Sequence, residues 1–129
     1  MAIAYSCIFL SFLLPYLWAV IAKRSGERYD NRDPRGWMQR QTNPKVHRAN
    51  AAQANAFEAF APFAAAVLMA QTTGVAPAVV NVLAVAFVVF RIGHGALYVA
   101  NRQLWRSIAW LGGWLCVGAL MVLAIFAIA

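Results

Sequence analysis

The sequence predicts an all-α integral membrane protein, a single four-helix bundle of four transmembrane helices with both termini outside. Three observations predict it. First, the 129 residues are 63% hydrophobic and only 12% charged, with a mean hydropathy of +0.62. A soluble chain this small has too much surface to carry that balance. Second, the apolar residues fall into four long runs, each near the ~20 residues that span a bilayer core. Third, the basic residues are gathered in alternate connections, the pattern of a multi-pass protein.

The first expected span is residues 2–22, with Pro15 as a kink. No lysine or arginine precedes this run and several follow it, so it reads as a retained helix and not as a cleaved signal. Residues 23–45 form a long cytoplasmic loop, "KRSGERYDNRDPRGWMQRQTNPK", in which both charge signs mix with Gly, Pro and Asn. Read as a solvated linker, it uses Trp37 as an interfacial anchor; the other reading is a binding loop. The second span is residues 46–71, with a polar first half and Pro62 inside it. "TTGVAP" turns the chain, Pro77 suits a helix start, and the third span covers residues 78–100. "NRQLWR" makes the next turn, and the fourth span is residues 104–128. Residues 1–129 are thus one domain.

Orientation follows from charge. Lys23, Arg24, Arg28, Arg32, Arg35, Arg40, Lys45 and Arg48 lie in or beside the first connection, and Arg102 and Arg106 at the third. The second connection and both termini carry no lysine or arginine. The first and third connections are therefore expected in the cytoplasm. The isoelectric point near 10.3 is a topology signal, with attraction to anionic headgroups secondary and nucleic acid not expected as a partner. Cys7 and Cys116 both lie in apolar runs, do not make a metal-type pair, and are expected to be small buried residues.

Polar groups inside the spans carry the functional signal, because ionisable side chains in a membrane face the bundle interior or a water-filled site. On the second helix, Arg48 and Asn55 are nearly eclipsed at about 100° per residue, and Glu58 lies one turn further on the same side. On the third, "RIGHGALY" places Arg91, His94 and Tyr98 at spacings of three and four, which is one stripe. Arg106, followed by Ser107, starts the fourth helix near the cytoplasmic end of that stripe. In the expected topology the second helix enters from the cytoplasm near Arg48, and Asn55, Glu58, Arg91, His94, Tyr98 and Arg106 converge in the cytoplasmic half of the membrane. A Glu58–Arg91 ion pair would explain two of them structurally. The surplus of arginines over the single membrane carboxylate instead suggests an anionic ligand.

These motifs resemble the family of membrane-associated proteins in eicosanoid and glutathione metabolism (MAPEG), which includes microsomal glutathione transferases and microsomal prostaglandin E synthase. "NAFE" (Asn55 to Glu58) followed by "AFAPF" resembles the family's Asn-x-x-Glu; "RIGHGALY" resembles the Arg-x-x-His-x-x-x-Tyr of the prostaglandin synthase branch; "RS" at Arg106 resembles its arginine-serine start. Where the family has an arginine four residues before the asparagine, this chain has Ala51, with Arg48 further out. The resemblance implies a homotrimer that binds glutathione between subunits near the cytoplasmic side. It implies Arg48, Asn55, Glu58, Arg91, His94 and Tyr98 as glutathione-binding residues and Arg106 as the catalytic residue beside the sulfur. The implied function is a glutathione-dependent transferase or peroxidase acting on a hydrophobic small-molecule electrophile or lipid peroxide, with glutathione as co-substrate and membrane lipid around it. A bacterial inner membrane fits the short termini. Two other readings stay open: a non-catalytic scaffold or lipid-binding protein of the same fold, and a small multidrug-type transporter. The transporter reading is weakened because the first span has no carboxylate.

Overall fold

Three helices begin on a proline, which is pre-set for the first helical position and has no N–H to waste there. The computed structural model describes residues 1–129 as five helices: α1 (Ala2–Ser25), α2 (Pro34–Arg40), α3 (Pro44–Thr72), α4 (Pro77–Val99) and α5 (Gln103–Phe126). The Asp33 side chain caps α2 by accepting from Gly36 N at 3.0 Å, and the Asn43 side chain caps α3 by accepting from Lys45 N at 3.0 Å. Helices α3 and α4 end alike. Gly74 (φ 82°) and Asn101 (φ 59°) take the left-handed conformation. The next residue then reaches back, Val75 N to Ala70 O and Arg102 N to Leu97 O, both at 2.9 Å. Asparagine tolerates that conformation better than most residues.

Helix α3 touches all three other long helices, while α1 packs on α3 and α4, and α5 on α4 and α3. Alanines at the contacts (Ala49, Ala52, Ala56, Ala66, Ala70, Ala84, Ala109) are buried and let the helices approach closely. Away from the polar half of α3, the core is built on Phe63 stacked on Phe87, with ring centroids 3.9 Å apart, among Val67, Val80 and Leu120. Large apolar residues such as Phe9, Val82, Val89, Leu111 and Phe126 point outward, as expected where the surrounding solvent is hydrocarbon.

Three helices, α1, α4 and α5, are long and apolar enough to cross a membrane. Helix α3, expected as the second span, is not among them, because Arg48, Asn50, Gln53, Asn55 and Glu58 dilute its first half. It is nevertheless the longest, 29 residues or about 43 Å, and lies against the other three along the bundle. Pro15 and Pro62 are both accommodated inside continuous helices.

The first connection differs most from expectation. The span 23–45 is not a solvated linker: it contains α2 and a small core. Trp37, expected as an interfacial anchor, is only 3% exposed and packs with Ala22, Val46 and Ala49. Its Nε1 donates to Arg28 O at 3.1 Å. Gln41 is also buried; its Oε1 accepts from Glu27 N (3.0 Å) and its Nε2 donates to Trp37 O (3.1 Å). Asn43 Nδ2 donates to Ser25 O at 2.7 Å, closing the loop at its base. The reason is hydrogen-bond satisfaction: a loop that buries a tryptophan must also pair the backbone groups it covers. Trp37→Phe keeps an aromatic side chain, shortens it, and removes the donor. It should destabilise the loop by about 1 kcal/mol, seen as about fivefold faster tryptic cleavage after Arg28 and Arg32. Unchanged cleavage would show that this hydrogen bond does not hold the loop.

Candidate functional site

The membrane-embedded polar residues begin with Arg91. It stands on the inner face of α4, 4% exposed, and there is room for it because Gly113 of α5 has no side chain. A Cβ at Gly113 would come within 3.3 Å of Arg91 Cδ. Arg91 Nη2 donates to Asn55 Oδ1 at 2.7 Å and to Asn55 O at 3.1 Å. Asn55 Nδ2 then donates to Glu58 Oε2 at 3.2 Å. The two charges are therefore linked through an amide. The direct Glu58–Arg91 ion pair considered from sequence is not formed, since the chain's ion pairs are Arg32–Asp30 and Arg40–Asp33. Asn55, one turn before Glu58 on α3, accepts the Arg91 Nη2 donors in its place. Arg91 Nε makes no hydrogen bond within the chain.

Asn55, Glu58 and Arg91 face a cavity of about 370 Å³ between α3, α4 and α5. Its remaining wall is apolar or small: Ala59, Pro62, Phe87, Trp110, Gly113, Trp114, Val117, Gly118 and Met121. Sequence reasoning missed the α5 wall. Residues 110, 113, 114, 117, 118 and 121 recur at helical spacing, so periodicity would have put them on one face. They read as ordinary span residues because none of them ionises.

His94 and Tyr98, further along α4, form a second group with Arg106 from the first turn of α5. The His94 ring is buried and meets Tyr98 edge-on, with centroids 5.6 Å apart. The Arg106 guanidinium lies over the Tyr98 ring, 4.3 Å from its centroid, a cation–π contact. His94 Nδ1 makes no hydrogen bond within the chain. The predicted stripe is real, but these three residues do not line the cavity that holds Asn55, Glu58 and Arg91. The single convergence expected from sequence is thus two adjoining groups.

Arg48 is placed elsewhere. Its Nε donates to Val99 O at 3.1 Å, one of the carbonyls that the end of α4 leaves without a helical partner. Seven residues, about two turns, before Asn55, it reaches the end of α4 and not the cavity.

The whole architecture agrees with the comparison to known proteins. A model of the MAPEG family matches residues 3–126, which takes in all four long helices and both polar groups. No curated protein sequence matches the chain at a significant level. On the evidence of that match and of an all-helical bundle with membrane-length apolar helices, the chain belongs to the MAPEG family, the membrane-associated proteins in eicosanoid and glutathione metabolism.

Proposed function

We propose that this protein is a membrane-bound, glutathione-dependent transferase or peroxidase, acting on hydrophobic electrophiles or lipid peroxides. One observation carries the reading: a single cavity presents a buried arginine and a carboxylate joined through an amide, Arg91–Asn55–Glu58. That set complements an α-amino acid head, with Arg91 for its carboxylate and Glu58 for its ammonium. Glutathione has such a head at its γ-glutamyl end, and a second carboxylate at its glycine. Glu58 is exposed in the single chain. A carboxylate at this depth is costly against lipid, which supports a neighbouring subunit over the cavity mouth; that the assembly is a homotrimer follows from the family resemblance alone.

In this reading Arg106 is the catalytic residue. A guanidinium beside the glutathione sulfur favours thiolate over thiol, from an ordinary thiol pKa of about 8.5. Tyr98 holds that guanidinium from below. The thiol proton leaves to water. The thiolate then forms a bond to the electrophilic carbon while the leaving group departs with its electron pair. The apolar wall of Trp110, Trp114, Val117 and Met121 supplies the face for the hydrophobic partner. His94, Tyr98 and Arg48 are proposed as flanking residues of the glutathione site. The first and third connections are proposed to face the cytoplasm, in a bacterial inner membrane.

A non-catalytic member of the fold is the second reading. It is favoured by Arg48, whose donor is used within the chain, and by Arg106, whose guanidinium already rests on Tyr98. Calorimetry of glutathione binding to the detergent-purified protein separates the two. Saturable binding, weakened about tenfold by Glu58→Gln and by Arg106→Ala, is expected for the site. An intact oligomer that takes up no glutathione would select the non-catalytic reading.

A further inference from the structure

The first connection contributes nothing to the cavity, yet it is folded, and its charges are not balanced. Its two ion pairs neutralise Arg32 with Asp30 and Arg40 with Asp33. Lys23, Arg24, Arg28, Arg35 and Lys45 remain without an ion pair, against the single unpaired carboxylate of Glu27.

Part of this surplus is held around a second cleft, of about 410 Å³, lined by Arg28, Tyr29, Asp30 and Arg32. The carboxylate in the cleft is already occupied. Arg32 Nε and Nη2 each donate to Asp30 at 3.0 Å, and this pairing holds the Asp30 carboxyl below the usual carboxylate range. The backbone of Arg28 is fixed by the hydrogen bond from Trp37 Nε1. Tyr29 is fixed by its edge-to-face contact with Trp37, centroids 5.1 Å apart. Lys23 does not line the cleft, but its Nζ lies 4.1 Å from the ring centroid of Tyr29, which does. An unpaired arginine in the cleft and an unpaired lysine over the ring of Tyr29 are thus brought to one aromatic residue held by Trp37. Lys23 belongs to the last turn of α1, a helix long and apolar enough to cross a membrane, so the cleft sits at headgroup depth.

We propose that this cleft binds the phosphate of an anionic phospholipid headgroup, with Arg28 and Lys23 as its ligands and Tyr29 between them. The arginine fork and the lysine point charge both suit phosphate oxygens. Anionic headgroups are concentrated at the cytoplasmic surface, where a basic residue near the end of a span meets them. Diffuse attraction to the leaflet would use all unpaired cations alike. The site uses two of the five, and of the other three Arg35 and Lys45, also exposed, serve as an internal control.

The test is native mass spectrometry of the full chain in detergent, with phosphatidylglycerol or phosphatidylcholine added at matched concentration. The wild type should retain one phosphatidylglycerol in preference to phosphatidylcholine. Lys23→Gln with Arg28→Gln should weaken this about tenfold or more, whereas Arg35→Gln with Lys45→Gln, which removes the same charge, should not. Arg28→Gln alone gives the same comparison should the double variant fail to assemble. Equal loss in both double variants would overturn the site in favour of diffuse charge, and equal retention of both lipids would overturn it outright. Displacement of the lipid by equimolar inorganic phosphate would overturn the lipid assignment in favour of a soluble anion.

Discussion

Gly95→Ala should destabilise the bundle by about 1–3 kcal/mol, a visible fall in the thermal midpoint of the detergent-purified protein. Gly95 is buried on α4 where α1 crosses it, and the added Cβ would lie inside the van der Waals surface of the Trp18 indole. Trp18 has little freedom to move. It is 4% exposed and sits in a cluster with Leu14, Ala52 and Ala56, packed against Tyr98 and Val99. The greater helix propensity of alanine returns only about 0.5–1 kcal/mol. The atoms that the new methyl meets belong to the six-membered ring of the indole, which Trp18→Phe would largely remove. The double variant Trp18→Phe/Gly95→Ala should therefore be more stable than the sum of the single losses implies, by about 1 kcal/mol or more. Strict additivity would mean that Gly95 is required for some reason other than this contact.

Arg91→Met should abolish most glutathione affinity, by about 10- to 100-fold, while leaving the fold in place. The affinity would fall because Arg91 Nη2 orients Asn55, and Asn55 in turn orients Glu58, so removing the guanidinium releases both remaining polar groups of the cavity. The fold should survive because methionine removes the desolvated charge while filling similar length, and Glu58, which is exposed, is not left as a buried unpaired charge. Thermal unfolding and calorimetry on the same preparation read the two effects separately. Loss of assembly by Arg91→Met, with Glu58→Gln and Arg106→Ala unaltered in ligand binding, would assign the polar network to structure and remove the enzyme reading.

The legible part of the fold rests on strong local signals. The helix start at Pro77 and the turns at Gly74 and Asn101 are set by residues whose backbone preferences leave little choice, whereas the starts at Pro34 and Pro44, and α2 with them, fall in what reads from sequence as the loop 23–45. The Arg91–His94–Tyr98 stripe is likewise a consequence of helical period, and the structure keeps it, with His94 against Tyr98. Trp37 was misread because a tryptophan beside a span has two good homes, the headgroup region and a small core. Only Ala22, Val46 and Ala49, brought together from α1 and α3, provide the second. Arg48 was grouped with Asn55 because period says they share a face, but period does not say where the neighbouring helix ends. The end of α4 at Val99 decides its partner.

By itself, the sequence determined the membrane class, the long helices, their approximate limits and the polar residues that interrupt the apolar runs. These follow from hydropathy, period and turn chemistry, which act within one or two helical turns. The tertiary structure decided which of those polar residues meet. It put Asn55 between Arg91 and Glu58, separated that group from His94, Tyr98 and Arg106, and closed the cavity with Trp110, Gly113 and Trp114. Hydrogen-bond partners across helices depend on crossing geometry and on side-chain volume at the contact, as at Gly113 and Gly95. Neither is encoded in the period of a single helix.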